Sequence, residues 1–300
     1  MRKVIGWIMI VLGTFLLVAV VLIRVYALDA LKVTPLSVDQ TTHLAGTADK
    51  LNPATGKVEN LDVKVRDVTK TDDAKSDGQV VVWVDATCVV EDLPDTPDCV
   101  DAKDPQERLI SATTDVFATD RKTALAIDQD QMDKYLPADA VPHEGLVNKW
   151  PFDAQKKSYP YWNGLLEKAV PADYIGTETV GGMDSYVYQV KIDPTKAEVV
   201  QGIKGLYSGE TTIKVDPITG AILYQRNHEI RTALNGDPLI DLDVAFTDDQ
   251  VKASVKQAED GVSQLHLIGV VVPIGGGVLG VLLIAGGLFL VLRSPRRHEV

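Results

Sequence analysis

The chain has 300 residues and a formal net charge of −12, with 45% hydrophobic and 24% charged side chains. That balance excludes an acid-rich disordered chain and a low-complexity fibre. The acidic excess excludes nucleic acid as a partner, because it would repel phosphates.

The average conceals two uncharged apolar runs, residues 4–23 and 267–292. Each reaches the roughly 20 residues needed to cross a bilayer as a helix. Setting aside Arg2, Lys3, Arg293, Arg296, Arg297 and Glu299 leaves 25 basic and 41 acidic residues, most of them between the runs. Short basic flanks stay on the cytoplasmic side of a membrane. The pattern therefore predicts a plasma-membrane protein with both termini cytoplasmic and the main domain extracytoplasmic. The segments read as follows: 1–3 cytoplasmic; 4–23 first transmembrane helix; 24–247 extracytoplasmic β-rich domain; 248–266 amphipathic stalk helix; 267–292 second transmembrane helix; 293–300 basic cytoplasmic tail. The alternative for the first run is a cleaved signal peptide, with Val25-Tyr26-Ala27 at the cleavage point. Against it, the run exceeds a usual signal core of about 7–15 residues, and Arg24 stands directly before the site.

Beyond the first run, Leu61, Val63 and Val65 alternate with Asp62, Lys64 and Arg66, and residues 80–87 form a continuous β-branched run around Trp83. Tyr186, Tyr188, Val190 and Ile192 alternate with Val187, Gln189 and Lys191, and Ile240, Leu242, Val244 and Phe246 alternate with Asp241, Asp243 and Ala245. Period-two patterning marks strands with one buried face. Asn52-Pro53-Ala54-Thr55-Gly56, Asp216-Pro217-Ile218-Thr219-Gly220 and Asn235-Gly236-Asp237 are turn sequences between such runs. Residues 205–246 thus read as an antiparallel meander. Residues 123–136 read as a short helix ending before Pro137. Thr247-x-x-Gln250 can cap a helix whose apolar positions are Val251, Val255, Ala258, Val262 and Leu265. The fold class is a membrane-anchored α+β protein, mainly β, with an antiparallel β-rich extracytoplasmic domain between two transmembrane helices.

Cys88 and Cys99 are the two cysteines. Both fall in the external domain, where disulfides persist, and a Pro- and Asp-rich loop separates them, so a Cys88–Cys99 bond is predicted. Gly276 and Gly280 make a small-xxx-small pair that admits a second helix closely, and Gly6 with Gly286 and Gly287 stands at the corresponding level of an antiparallel hairpin.

Five of the 18 aromatic residues fall within residues 150–162, as Trp150, Phe152, Tyr159, Tyr161 and Trp162, together with Lys156 and Lys157. One reading is an apolar ligand surface with a basic pair for an anionic head group or glycan. The other is a loop pinned to the sheet by its own rings.

No G-x-S-x-G, S-x-x-K, H-E-x-x-H or phosphate-loop motif occurs, and the five histidines are scattered. No catalytic residue, metal site or cofactor is expected.

Several segments together resemble a known family: the Arg2-Lys3-Val4-Ile5-Gly6-Trp7 start, the Trp150-Pro151-Phe152-Asp153-Ala154-Gln155-Lys156-Lys157 stretch, Tyr174-Ile175-Gly176-Thr177-Glu178-Thr179, the 215–220 turn and the glycine-rich final run. The chain is similar to actinobacterial membrane proteins of the porin PorA family. The resemblance implies a cell-envelope protein of the plasma membrane, with envelope lipid (mycolate) trafficking as an associated process. It supplies no catalytic residue. One pair of apolar helices encloses no pore unless it oligomerises, and neither helix has a polar stripe to line one. The expectation is accordingly a non-enzymatic protein whose external domain binds a lipid, a glycan or a partner protein. A scaffold in a membrane complex is the alternative, ahead of a pore-forming protein or an unrecognised enzyme. The partners anticipated are the bilayer, an envelope lipid or glycan, and another membrane protein.

Overall fold

The computed structural model describes residues 2–52, 54–200 and 202–293. Pro53 of the first turn, and Arg296 and Arg297 of the basic tail, lie outside the described residues. The chain divides into two compact units, residues 1–33 with 260–300, and residues 34–259.

In the first unit, helix α1 (Arg2–Leu22) continues through a wider turn at Ile23–Ala27 into α2 (Leu28–Leu31). Helix α5 (Val272–Leu292) is the second apolar element. Each of α1 and α5 has 21 residues, about 31 Å at 1.5 Å per residue, and each is apolar enough to cross a membrane. They lie side by side and antiparallel, with Gly6 against Gly287 and Gly13 against Gly280. A Cβ on Gly13 would stand 2.6 Å from the Gly280 carbonyl oxygen, so only glycine allows the backbones this close. Gly276 faces Val20 and Gly286 faces Met9.

The second unit is one ten-stranded antiparallel sheet. Its strands are β1 (Asp39–Asn52), β2 (Lys57–Thr71), β3 (Val80–Glu91), β4 (Leu109–Asp120), β5 (Tyr159–Asn163), β6 (Lys168–Val180), β7 (Met183–Val200), β8 (Ile203–Val215), β9 (Ile222–Ala233) and β10 (Pro238–Phe246). The spatial order is β4-β3-β2-β1-β10-β9-β8-β7-β6-β5. Two meanders, β1–β4 and β5–β10, are therefore welded through β1 and β10, and the edges are β4 and β5. The chain passes from one edge to the other through residues 121–158. Within that crossing Thr119 bridges Ala126, Leu125 bridges Leu146, and Leu146 bridges Tyr161 on β5. The sheet is thus curled, and the crossing laces its two edges together.

One face of every strand turns inward. Leu44, Ala48, Val63, Val65, Val89 and Val244 fill one side of the curl, and Leu146, Trp150, Tyr188, Val190, Ile213 and Val215 fill the other. The apolar run at the start of β3 is covered on both faces. Val81 and Trp83 pack inward with Phe117, while Val80 and Val82 pack under Ile127 and Tyr135. The outer face carries cross-strand ion pairs, Arg226 with Asp243 and Lys214 with Glu178 at 2.6 Å, and a contact of His228 with Asp241 at 2.8 Å.

The helix expected over 123–136 shrinks to a 3-10 turn at Gln129–Gln131 and one α turn, α3 (Met132–Tyr135). Residues 124–127 are instead spent on the bridges to β4 and to Leu146. Helix α4 (Asp248–His266) starts at Thr247, whose Oγ1 accepts from the Gln250 amide at 3.2 Å, and it runs unbroken through Gly261. Its first half packs Val255 and Ala258 onto Leu223 and Val180. Cys88, near the end of β3, is bonded to Cys99.

Candidate functional site

The aromatic stretch 150–162 is built onto the β8–β9 turn. Asp216 is buried, and its carboxylate accepts from both the amide and the hydroxyl of Thr219, which closes the turn. Gly220 completes it at φ +73°, and a Cβ there would lie 2.2 Å from the Trp150 carbonyl oxygen. That empty position lets the chain dock. The Trp150 amide donates to the Gly220 carbonyl at 3.1 Å, and the Asp153 amide donates to Ile218 at 3.0 Å.

From this anchor Trp150 enters the curl and is fully buried. Its indole stacks between Tyr161 and Tyr188, with centroids at 5.4 and 5.0 Å, and Tyr159 stands edge-on at 6.5 Å. The Tyr188 hydroxyl donates to the Gln155 carbonyl at 2.7 Å, and burial pushes its ionisation well above the usual tyrosine range. Phe152 lies beneath Lys149, 4.4 Å from ammonium to ring, and burial pushes Lys149 down to about 8. Lys156 and Lys157 remain exposed, Lys156 over Tyr186 at 5.3 Å and Lys157 over Tyr159 at 5.0 Å. The structure therefore brings Trp150, Tyr159 and Tyr161 into one packed stack. Trp162 stands in a second, and the two lysines lie at the surface.

That second stack runs Trp83, Phe117, His143, Trp162, with successive centroids at 6.4, 5.2 and 4.3 Å. It joins β3 and β4 to β5 through the crossing. His143 Nε2 lies 2.8 Å from Asp115 Oδ2, and Nδ1 lies 2.8 Å from the Val141 carbonyl.

Beside the stack, three inward carboxylates occupy neighbouring strands: Asp67 on β2, Asp85 on β3 and Asp115 on β4. Asp85 is directly opposite Asp115, and Asp67 is diagonal to Asp85, since Asp67 pairs with Thr87 and Asp85 with Thr69. Burial, then the Asp67 charge, push Asp85 up to about 7, and burial also raises Asp67. Sequence reading passed over these residues, although a signal was present. Asp67 follows Leu61, Val63 and Val65 at the same parity, and Asp85 follows Val81 and Trp83, so each is a carboxylate at an inward position.

The hollow in the wall lined by Phe117, Ala126, Ile127, Met132, Leu136 and His143 leaves about 0 Å3 of room for a water molecule. Small-molecule pockets run roughly 300–1,000 Å3. Among the described residues, no group of three or more His, Cys, Asp or Glu side chains is arranged to hold a metal ion.

The profile of the family described as Porin PorA matches residues 5–289, nearly the entire chain. The chain belongs to the Porin PorA family. Two curated relatives, both named Porin PorA, come from Corynebacterium amycolatum, 28% identical, and Corynebacterium resistens, 24% identical. Each alignment covers 65% of this chain, and 58% and 54% of the respective relative, so this PorA-family chain spans little more than half the length of either. These names overturn the expectation of a non-pore protein whose external domain binds a lipid, glycan or partner, with a scaffold as the alternative. One helix pair encloses no pore unless it oligomerises, and it has no polar stripe to line one; assembly of several copies is the route that this geometry leaves open.

Proposed function

We propose that this chain is a porin-type membrane protein that crosses the plasma membrane twice, through α1 and α5, and conducts through an assembly of several copies. The observation that carries the reading is the family match over residues 5–289, together with the porin name of both relatives. Large exposed apolar side chains concentrate on the helices, among them Val4, Trp7, Val11 and Phe15 on α1, and Ile274, Val278, Leu282 and Phe289 on α5. They suit contact with lipid. The strands do not, because the sheet's outer face presents Lys64, Arg66, Arg226 and Asp243. Lysine or arginine on a lipid-facing strand costs roughly 2–4 kcal/mol at the bilayer midplane. Within one copy, the backbones of α1 and α5 meet at Gly6/Gly287 and Gly13/Gly280, which leaves no channel between them. A conducting path therefore forms between hairpins. Arg2, Lys3 and Arg293 favour both termini on the cytoplasmic side, with residues 34–259 beyond the membrane.

The test is conductance of the purified full-length chain in planar bilayers. Stepwise currents are expected, and they should disappear in Gly280→Leu, which cannot keep the close helix approach. Bilayers that stay silent while vesicle flotation and protease protection show inserted protein would refute the proposal.

A further inference from the structure

The curled sheet has one weak line. Its edges β4 and β5 do not pair with each other, and the crossing holds them together through a few contacts. The Leu146 amide donates to the Pro160 carbonyl at 2.8 Å, and the Trp162 amide donates to the Leu146 carbonyl at 2.7 Å. His143 adds a side-chain link, Nε2 to Asp115 on β4 and its ring against Trp162 on β5. Immediately inside this seam stands the row of Asp67, Asp85 and Asp115.

The row is short of positive charge. Asp67 Oδ1 accepts from the Thr87 hydroxyl at 2.8 Å, and Asp85 Oδ1 accepts from the Thr69 hydroxyl at 2.7 Å. The charges acting on Asp85 are the carboxylates of Asp67 and Asp115. From β5, Tyr161 faces the pair as a neutral phenol, and the same two carboxylates help keep it protonated. From β1, Thr42 is the residue opposite Asp67. From the crossing, His143 faces Asp115, its Nε2 2.8 Å from Asp115 Oδ2. Like charges at adjacent positions on one sheet face repel, and half-burial amplifies the repulsion.

We propose that the β4–β5 seam is a proton-controlled latch: a proton held by the neighbouring Asp67 and Asp85 carboxyl groups keeps it shut, and loss of that proton loosens it. The sign follows from linkage. In the unfolded chain these carboxylates lose their protons near pH 4. In the folded chain Asp85 keeps its proton up to about 7. Between those values the folded state binds more protons, so stability falls as pH rises through the window and levels off above it. The pair titrates as a unit.

The test is hydrogen exchange on the full chain in detergent at about pH 5.5 and about pH 8, corrected for intrinsic rates. Amides of Leu146 and Trp162 should lose about tenfold protection or more at the higher pH, the factor that one unit of pKa difference supplies. Asp85→Asn, which mimics the protonated acid in shape, should retain protection at both pH values. Equal protection of the native seam at both pH values, or an unchanged pH dependence in Asp85→Asn, overturns the latch. If Asp85→Asn does not fold, infrared spectra of the native chain near pH 6 decide. A carbonyl band from a protonated carboxyl group that disappears toward pH 8 supports the latch, and no such band overturns it.

Discussion

Removal of the Cys88–Cys99 bond is the perturbation whose size follows most directly from the structure. The bond closes a loop of sequence separation 11 between β3 and the segment leading into β4. In the chain-entropy account, cross-linking a loop of that length withdraws about 2.8 kcal/mol of freedom from the unfolded chain at 25 °C. Non-covalent contacts remain to hold the loop when the bond is gone. The Lys64 ammonium donates to the Thr96 carbonyl at 2.5 Å and pairs with Asp92 at 3.2 Å. They keep the folded loop in place, so the loss appears mainly through the unfolded state. For a folded unit spanning residues 34–259, each kcal/mol shifts the melting temperature by about 2–4 °C. The double variant Cys88→Ala with Cys99→Ala should therefore melt about 6–12 °C lower and lose about 3 kcal/mol in urea titration at an unchanged m-value. Cys88 is buried, so the alanine variant also loses some packing. Reducing the native protein with dithiothreitol isolates the cross-link, and it should reproduce most of the shift. A native chain whose melting temperature moves by less than about 2 °C on verified reduction would refute the loop-closure reasoning.

Two further substitutions probe the aromatic site. Gly220→Ala places a Cβ 2.2 Å from the Trp150 carbonyl oxygen at a left-handed φ. It should cost about 2–4 kcal/mol in denaturant titration, whereas Gly56→Ala, left-handed but with open space around it, should cost about 1–2 kcal/mol; equal losses would show that the docking contact carries no energy. Trp150→Ala opens the stack between Tyr161 and Tyr188 and should cost about 3–5 kcal/mol by urea titration, with Trp150→Phe recovering about half, and a loss below about 1 kcal/mol would mean the indole is not packed as described.

The local chemistry of most elements was legible in the residues. Strict alternation at Leu61–Val63–Val65 and at Tyr186–Tyr188–Val190 set strands with one face inward, and these positions lie on the inner face. The Asp216–Gly220 and Asn235–Asp237 turns lie where their Pro, Asn and Gly residues called for them. The crossing was less legible. Residues 124–127 carry no strand or helix period, because their partners are single residues on a distant edge, and a bridge of one residue leaves no repeating pattern.

What the linear order of residues determined was composition by segment: two apolar helices, an acidic middle and a succession of strands separated by tight turns. These depend on neighbours within a few positions, where periodicity and turn propensity act. Tertiary structure alone decided which strands become edges, how β1 meets β10 across the length of the unit, and how the curl is laced shut. It also assembled the row of Asp67, Asp85 and Asp115 from three strands. Such a row exists only once register is set, and register depends on hydrogen bonds between residues far apart in the chain. The electrostatics of the seam are likewise a property of the closed sheet, because burial and like-charge proximity arise only when the strands come together.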